Sequence, residues 1–169
     1  MFDFIICMLD NVLVHTKSGS LYPRNIADFM PDYNLWYALK FCGPKTVVIV
    51  DNPDLSSRFW SSLDTPSYQT RISFIRIWLS QMTGIKTSAY FSTRGNWQYL
   101  GWDDKDMVDL ISTKNDYRES KNPLFIDSND KKSEELISKK GINYMTKDEF
   151  IEKYNPNPRE YTKRNEPSK

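Results

Sequence analysis

Apolar residues along this chain fall into short, nearly continuous runs, and three of these runs end at an aspartate. The runs and their aspartates are residues 4–9 with Asp10, residues 46–50 with Asp51, and residues 124–126 with Asp127. Short continuous apolar runs are typical of strands buried on both faces of a parallel sheet. Because parallel strands end at the same edge of the sheet, we expect the three carboxylates to lie along one edge, where open α/β sheets place their sites.

Between and after these runs, apolar residues recur every three or four positions, which is the spacing of one helix face. In residues 33–41, Leu35 and Leu39 share such a face, with Asp32 placed to cap the helix and Gly43 to end it. Further helices are predicted over residues 67–83, 103–112, 132–140 and 147–154. The alternation of strands and helices predicts an α/β fold, a three-layer Rossmann-like parallel sheet with at most a small cap insertion.

The pattern divides the chain into one domain and a tail. Residues 1–154 are expected to form the α/β domain, in which residues 14–31 are a loop or a minimal cap. His15 within that segment is expected to be a solvated loop histidine, although an acid–base role stays open. The charged segment 113–121 is expected to be a loop, and residues 155–169, with three prolines and no periodicity, an extended tail that needs a partner to become ordered.

Composition narrows the function class only slightly. The 169 residues carry a formal net charge of +1, with 39% hydrophobic and 27% charged residues, so no global field recruits nucleic acid or a membrane. Cys7 and Cys42 lack metal-type spacing and are expected to be free thiols in a reducing compartment. The first apolar run is too short to span a bilayer. We therefore expect a cytoplasmic protein, and the abundance of Asn, Lys, Ser and Tyr suggests an AT-rich genome such as that of a virus.

Four segments in this order resemble the haloacid dehalogenase (HAD) superfamily over residues 3–152, in particular its polynucleotide- and histidinol-phosphatase branch. The family pattern D-x-D-G-T-[LV] falls on Met8-Leu9-Asp10-Asn11-Val12-Leu13, and the family's fourth motif on Phe125-Ile126-Asp127-Ser128-Asn129-Asp130. The resemblance implies that the first aspartate attacks phosphorus and the second is the general acid–base. It also implies that a Ser/Thr and a Lys hold the phosphoryl oxygens, and that the last acids hold Mg²⁺.

This chain departs from the family at most of those positions. Met8 stands where the nucleophile is expected, and Asp51 where a small hydroxyl is expected; a thioether cannot attack phosphorus, and a carboxylate repels phosphate. Trp102 falls in register with the family lysine, with Lys105 nearby as a substitute. The resemblance leaves Asp10, Asp127 and Asp130 as the candidate Mg²⁺ ligands. The alternative for Asp10, Asp51 and Asp127 is that they cap helices or accept backbone hydrogen bonds at strand ends.

The first functional hypothesis is therefore a HAD-fold protein that has lost phosphatase chemistry and needs no cofactor. It would act as a binding or structural subunit, with a protein partner bound by the tail and by an aromatic lid. That lid contains Arg94, Trp97 and Trp102, which could instead stack on bases of a single-stranded nucleic acid. One alternative is an active Mg²⁺-dependent phosphohydrolase acting on nucleotides or nucleic-acid ends, with Asp10 in an altered role. A third, a PIN-type nuclease, is suggested by the segment from Leu9 to Leu13.

Overall fold

The computed structural model describes residues 1–9, 11–19, 28–51, 68–91, 111, 115–131 and 133–155, and within these it leaves out the side chains of residues 51, 68–73 and 88–91. In chain order the elements are β1 (Phe4–Met8), β2 (Val14–Thr16), β3 (Phe29–Pro31), α1 (Tyr33–Cys42), β4 (Thr46–Asp51), α2 (Tyr68–Thr83), β5 (Lys86–Phe91), α3 (Asn115–Glu119), β6 (Pro123–Asp127), α4 (Glu134–Lys139), β7 (Asn143–Thr146) and α5 (Lys147–Tyr154). The helix predicted over residues 103–112 lies outside the described residues except at Ile111.

Five of these strands form one parallel sheet in the order β5-β4-β1-β6-β7. The first strand is central: Ile6 lies opposite Val48 of β4 on one side and Phe125 of β6 on the other. The chain builds outward from β1 through β4 to β5, then returns to the other side of β1 for β6 and β7. The predicted α/β fold with a parallel sheet is therefore confirmed.

Helices cover both faces of the sheet. Ile5 and Cys7 of β1 belong to a core shared with buried residues of α1, α2 and α5, whereas Phe4 and Ile6 belong to a second core that includes Ile137 of α4. Successive residues of a strand point to opposite faces, so an unbroken apolar run is what a strand buried on both sides requires.

Helix α1 has the boundaries that its end residues predict. The Asp32 Oδ1 atom accepts a hydrogen bond from the Leu35 amide at 3.0 Å, which satisfies one of the free N–H groups of the first turn. Gly43 ends the helix with φ +67° and donates its N–H to the Leu39 carbonyl. The buried indole of Trp36 donates to the Leu13 carbonyl at 2.8 Å, which ties α1 to the turn after β1.

Two segments contain regular secondary structure that the sequence did not predict. Residues 14–31 contain the antiparallel pair β2–β3, in which His15 lies opposite Met30. The expectation of a loop over 113–121 is wrong for α3, where Tyr117 packs edge-on against Phe4 with ring centroids 5.6 Å apart. That tertiary contact stabilises a five-residue helix that its charged sequence does not predict. Within the described ranges, no helix is long and apolar enough to cross a bilayer.

Candidate functional site

The carboxyl edge of the sheet has a switch point between β1 and β6. These neighbouring strands connect onward in opposite directions, and such a point opens a crevice in which α/β proteins bind ligands. Met8 ends β1 and Asp127 ends β6. Asp51 ends β4 at the same edge, opposite Phe91 of β5. Asp10, two residues beyond Met8, lies outside the described residues.

A tight turn follows β1 and leads into the hairpin. The Leu9 carbonyl accepts hydrogen bonds from the Leu13 and Val14 amides at 3.0 and 3.1 Å. Asn11 has φ +61°, a left-handed conformation that favours glycine and that asparagine adopts more readily than most other residues. Asn11 is the residue that falls on the glycine of the D-x-D-G-T pattern, so the backbone there has the conformation that a glycine position requires.

Met8 is a packing residue. Its half-buried side chain contacts the apolar cores on both faces of the sheet, and the ladder continues past it because the Leu9 amide donates to the Val50 carbonyl at 2.9 Å. A thioether carries no charge and is a weak acceptor. The end of β1 therefore presents an apolar group at the position where the family resemblance implies a carboxylate nucleophile.

The carboxylate of Asp127 is held by three donors and is only 2% exposed. Its Oδ1 accepts from the Ser128 amide at 2.7 Å, and its Oδ2 from the Ser133 amide at 2.8 Å and the Tyr144 hydroxyl at 2.9 Å. Burial and this bond to Asp127 raise the pKa of Tyr144 well above its usual value. Because Ser133 is the N-cap of α4, Asp127 fastens β6 to α4 and β7.

Two polar residues that follow Asp127 in the sequence, Ser128 and Asp130, differ in solvent exposure. Asp130 is exposed, and the described part of the chain contains no group of three or more His, Cys, Asp or Glu side chains that could hold a metal ion. The buried Ser128 Oγ has no hydrogen-bond partner among the described residues. This hydroxyl lies beside Asp127, and a buried hydroxyl without any partner costs about 1–3 kcal/mol.

A second polar cluster, which the sequence did not predict, joins the hairpin to two helices. The Asp32 Oδ2 atom lies 2.6 Å from His15 Nε2 and 3.1 Å from Lys147 Nζ. Burial raises the pKa of Asp32, but the His15 hydrogen bond, the Lys147 charge and the Leu35 amide together outweigh burial and lower it. We call these three residues, His15, Asp32 and Lys147, the charge cluster.

The expectation of a solvated loop histidine is wrong. His15 lies on β2, and its side chain is 32% exposed and bonded to Asp32. The histidine sits in a hairpin strand paired with β3 and beside α5, contacts that bring together residues 17 and 132 positions apart. Asp32 was predicted only as a helix cap, and no local pattern marks Lys147 as its partner.

The charge cluster lies close to the switch point. Burial raises the pKa of Cys7 well above its usual value, and the charges of Asp32 and Asp127 raise it further while Lys147 lowers it. Lys147 follows Thr146, which lies opposite Asp127 in the β6–β7 pair, so the charge cluster adjoins the end of β6. A buried thiol of raised pKa is unreactive, so Cys7 is a core residue.

The remaining predicted residues lie outside the described part of the chain. These are Lys105 and the lid residues Arg94, Trp97 and Trp102, together with most of the tail. Their predicted roles stay predictions. No family model matches this chain, and no curated protein is significantly similar to it.

Proposed function

We propose that this chain is a HAD-like α/β protein that has lost phosphatase chemistry and acts as a binding or structural subunit. The observation that carries the proposal is Met8 at the carboxyl end of β1, packed into the cores on both faces of the sheet. Phosphoryl transfer through an aspartyl intermediate needs a carboxylate at this position. The other members of such a catalytic group lose most of their effect without it, because they act as a unit.

Three features support the HAD-like part of the proposal. The central strand β1 is followed at once by a tight turn, and Asn11 has a left-handed backbone at the position of the family glycine. The turn leads into a small insertion, the β2–β3 hairpin. The switch point then lies between β1 and β6, next to the two segments that resemble the family's first and fourth motifs.

Two further features support the loss of catalysis. The acid that resembles a family metal ligand, Asp127, already accepts three hydrogen bonds that connect β6, α4 and β7. At the end of β4, Asp51 stands where the family has a hydroxyl, and its negative charge disfavours a phosphoryl group.

The direct test is a phosphatase assay on the purified full chain with p-nitrophenyl phosphate and Mg²⁺. We expect no Mg²⁺-dependent turnover above that of the Asp10→Asn variant. The matched control is Asp116→Asn, which removes an exposed carboxylate that pairs with Lys86 at the amino end of β5, the opposite edge of the sheet. Turnover that Asp10→Asn abolishes and Asp116→Asn leaves intact would establish the alternative, an active Mg²⁺-dependent phosphohydrolase.

The proposal also implies a partner. The aromatic lid and the tail are the contact surfaces that the sequence predicts, and a protein partner is the class expected. Isolation from the native source at physiological salt should yield a stoichiometric complex. A chain that is recovered alone, and that turns over phosphate esters, would contradict the proposal on both counts.

A further inference from the structure

The charge cluster connects three parts of the fold. His15 belongs to β2, Asp32 lies between β3 and α1, and Lys147 is the first residue of α5. The Asp32 and Lys147 side chains are only 10% and 13% exposed. Lys147 is therefore the member that ties α5 to the hairpin, through one carboxylate.

Both donors of the cluster use the same oxygen. His15 Nε2 and Lys147 Nζ lie 2.6 and 3.1 Å from Asp32 Oδ2, while Oδ1 already accepts from the Leu35 amide. An ionised carboxylate only accepts hydrogen bonds, so Nε2 carries a hydrogen, and an ammonium group only donates. The 3.5 Å approach of Lys147 Nζ to His15 Nε2 is therefore a contact between two donors.

Protonation of His15 weakens the attraction between Lys147 and Asp32. A neutral ring with its hydrogen on Nε2 takes its next proton on Nδ1, which makes the ring a cation without moving its bond to Asp32. Two cations then share one carboxylate oxygen at low exposure. The imidazolium is the nearer of the two, so Lys147 is the one that loses its attraction; its long side chain can also move its charge into water.

In the described part of the chain, two charged side chains contact the imidazole of His15. Among the described residues, Asp32 and Lys147 contact the ring, from the β3–α1 junction and from α5. Lys17 and Asp28 face each other across the β2–β3 pair two positions beyond His15 and Met30, and the Asp28 carboxylate accepts hydrogen bonds from the amide and hydroxyl of Ser18. The chain contains one histidine, and histidine is the side chain that ordinarily titrates between about pH 5 and pH 8.

We propose that His15 is a pH-sensitive switch that lets Lys147 hold the amino end of α5 to the β2–β3 hairpin while the ring is neutral, and releases Lys147 when the ring is protonated. The switch acts beside the carboxyl edge of the sheet, because Thr146, the N-cap of α5, ends β7 there. This inference does not depend on the proposed function.

The test compares Lys147→Met with the native chain by urea unfolding at about pH 7.5 and about pH 5.5, on either side of the usual histidine pKa of about 6.5. At the higher pH, Lys147→Met should lower the folding equilibrium constant about tenfold. A loss of this size is intermediate between those typical of exposed and of buried ion pairs. At the lower pH the effect should fall below about twofold. Asp32 stays ionised at both, because its pKa is lowered.

Two controls isolate His15. In a His15→Gln background, whose amide donates to Asp32 but does not titrate, Lys147→Met should have the same effect at both pH values. Lys86→Met, which removes an exposed pair with Asp116, should show no pH difference attributable to the histidine. An equal effect of Lys147→Met at both pH values in the native background, or a pH difference that survives His15→Gln, would overturn the proposal.

A second measurement needs no substitution. In isotopically labelled native chain, the side-chain NMR signals of Lys147 should titrate with the same midpoint as the His15 imidazole. Lysine signals that stay constant through that midpoint would overturn the proposal even if a variant failed to fold.

Discussion

Asp127→Asn is the substitution that best separates a structural carboxylate from a metal ligand. The native carboxylate is 2% exposed and accepts hydrogen bonds from the amides of Ser128 and Ser133 and from the Tyr144 hydroxyl. Its buried charge is thus stabilised by donors that the fold provides. If the role of Asp127 is to accept these hydrogen bonds, removing its charge should lower the free energy of unfolding.

The magnitude follows from the geometry. An asparagine can turn its carbonyl towards Ser133 and Tyr144, but its NH₂ group then meets the Ser128 amide, and an unpaired buried donor costs about 1–3 kcal/mol. The two bonds that remain become neutral, and charge-assisted bonds are roughly twice as strong as neutral ones. Together these terms predict a loss of about 2–4 kcal/mol in the free energy of unfolding.

Equilibrium urea denaturation of the native chain and the variant measures this loss. The matched control is Asp130→Asn, three residues away and exposed, which should change the free energy of unfolding by less than about 0.5 kcal/mol. Carboxylates clustered for a cation repel one another when it is absent, so a metal-ligand role predicts that Asp127→Asn stabilises the metal-free chain. A loss below about 0.5 kcal/mol, or a gain, would therefore refute the structural role.

Three further predictions concern single residues. Asn11→Gly should leave the free energy of unfolding within about 0.5 kcal/mol of native. Asn11→Ala should lower it by about 1–2 kcal/mol, because alanine keeps the Cβ that opposes a left-handed backbone but lacks the short polar side chain that lets asparagine adopt it; equal urea midpoints for the two variants would contradict this. The lowered pKa of Asp32 means that its contribution to stability is complete above the unfolded value of about 3.9 and is lost as pH falls through the folded value. Asp32→Asn, which keeps the cap, should therefore flatten the acid limb of a thermal-stability profile; a limb as steep as native would count against the Asp32 interactions. The raised pKa of Tyr144 means that its contribution is complete below about pH 10 and is lost as pH rises through the folded value. In an alkaline absorbance titration, Tyr144→Phe should remove only a late component, and the loss of an early one would show that the phenol is not held by Asp127.

Some features of the site were predictable because they depend on a few consecutive residues. The Asp32 cap and the Gly43 end of α1 are contacts within one helical turn, and a glycine or an asparagine in a left-handed conformation is a local preference. The same holds for α5, whose predicted bounds are those of the structure. For the site itself, the sequence correctly placed Asp51 and Asp127 at strand ends.

The sequence alone determined the buried strands β1, β4 and β6 and their parallel direction, because a short apolar run with no polar alternation is typical of a strand that is covered on both faces. Only the tertiary structure decided what the polar groups do. The partners of Asp127 include Ser133 and Tyr144, and those of Asp32 include His15 and Lys147. The spacing of apolar residues depends only on residues that are close together in the sequence. The role of a carboxylate depends instead on the hydrogen-bond donors that folding brings within about 3 Å of it.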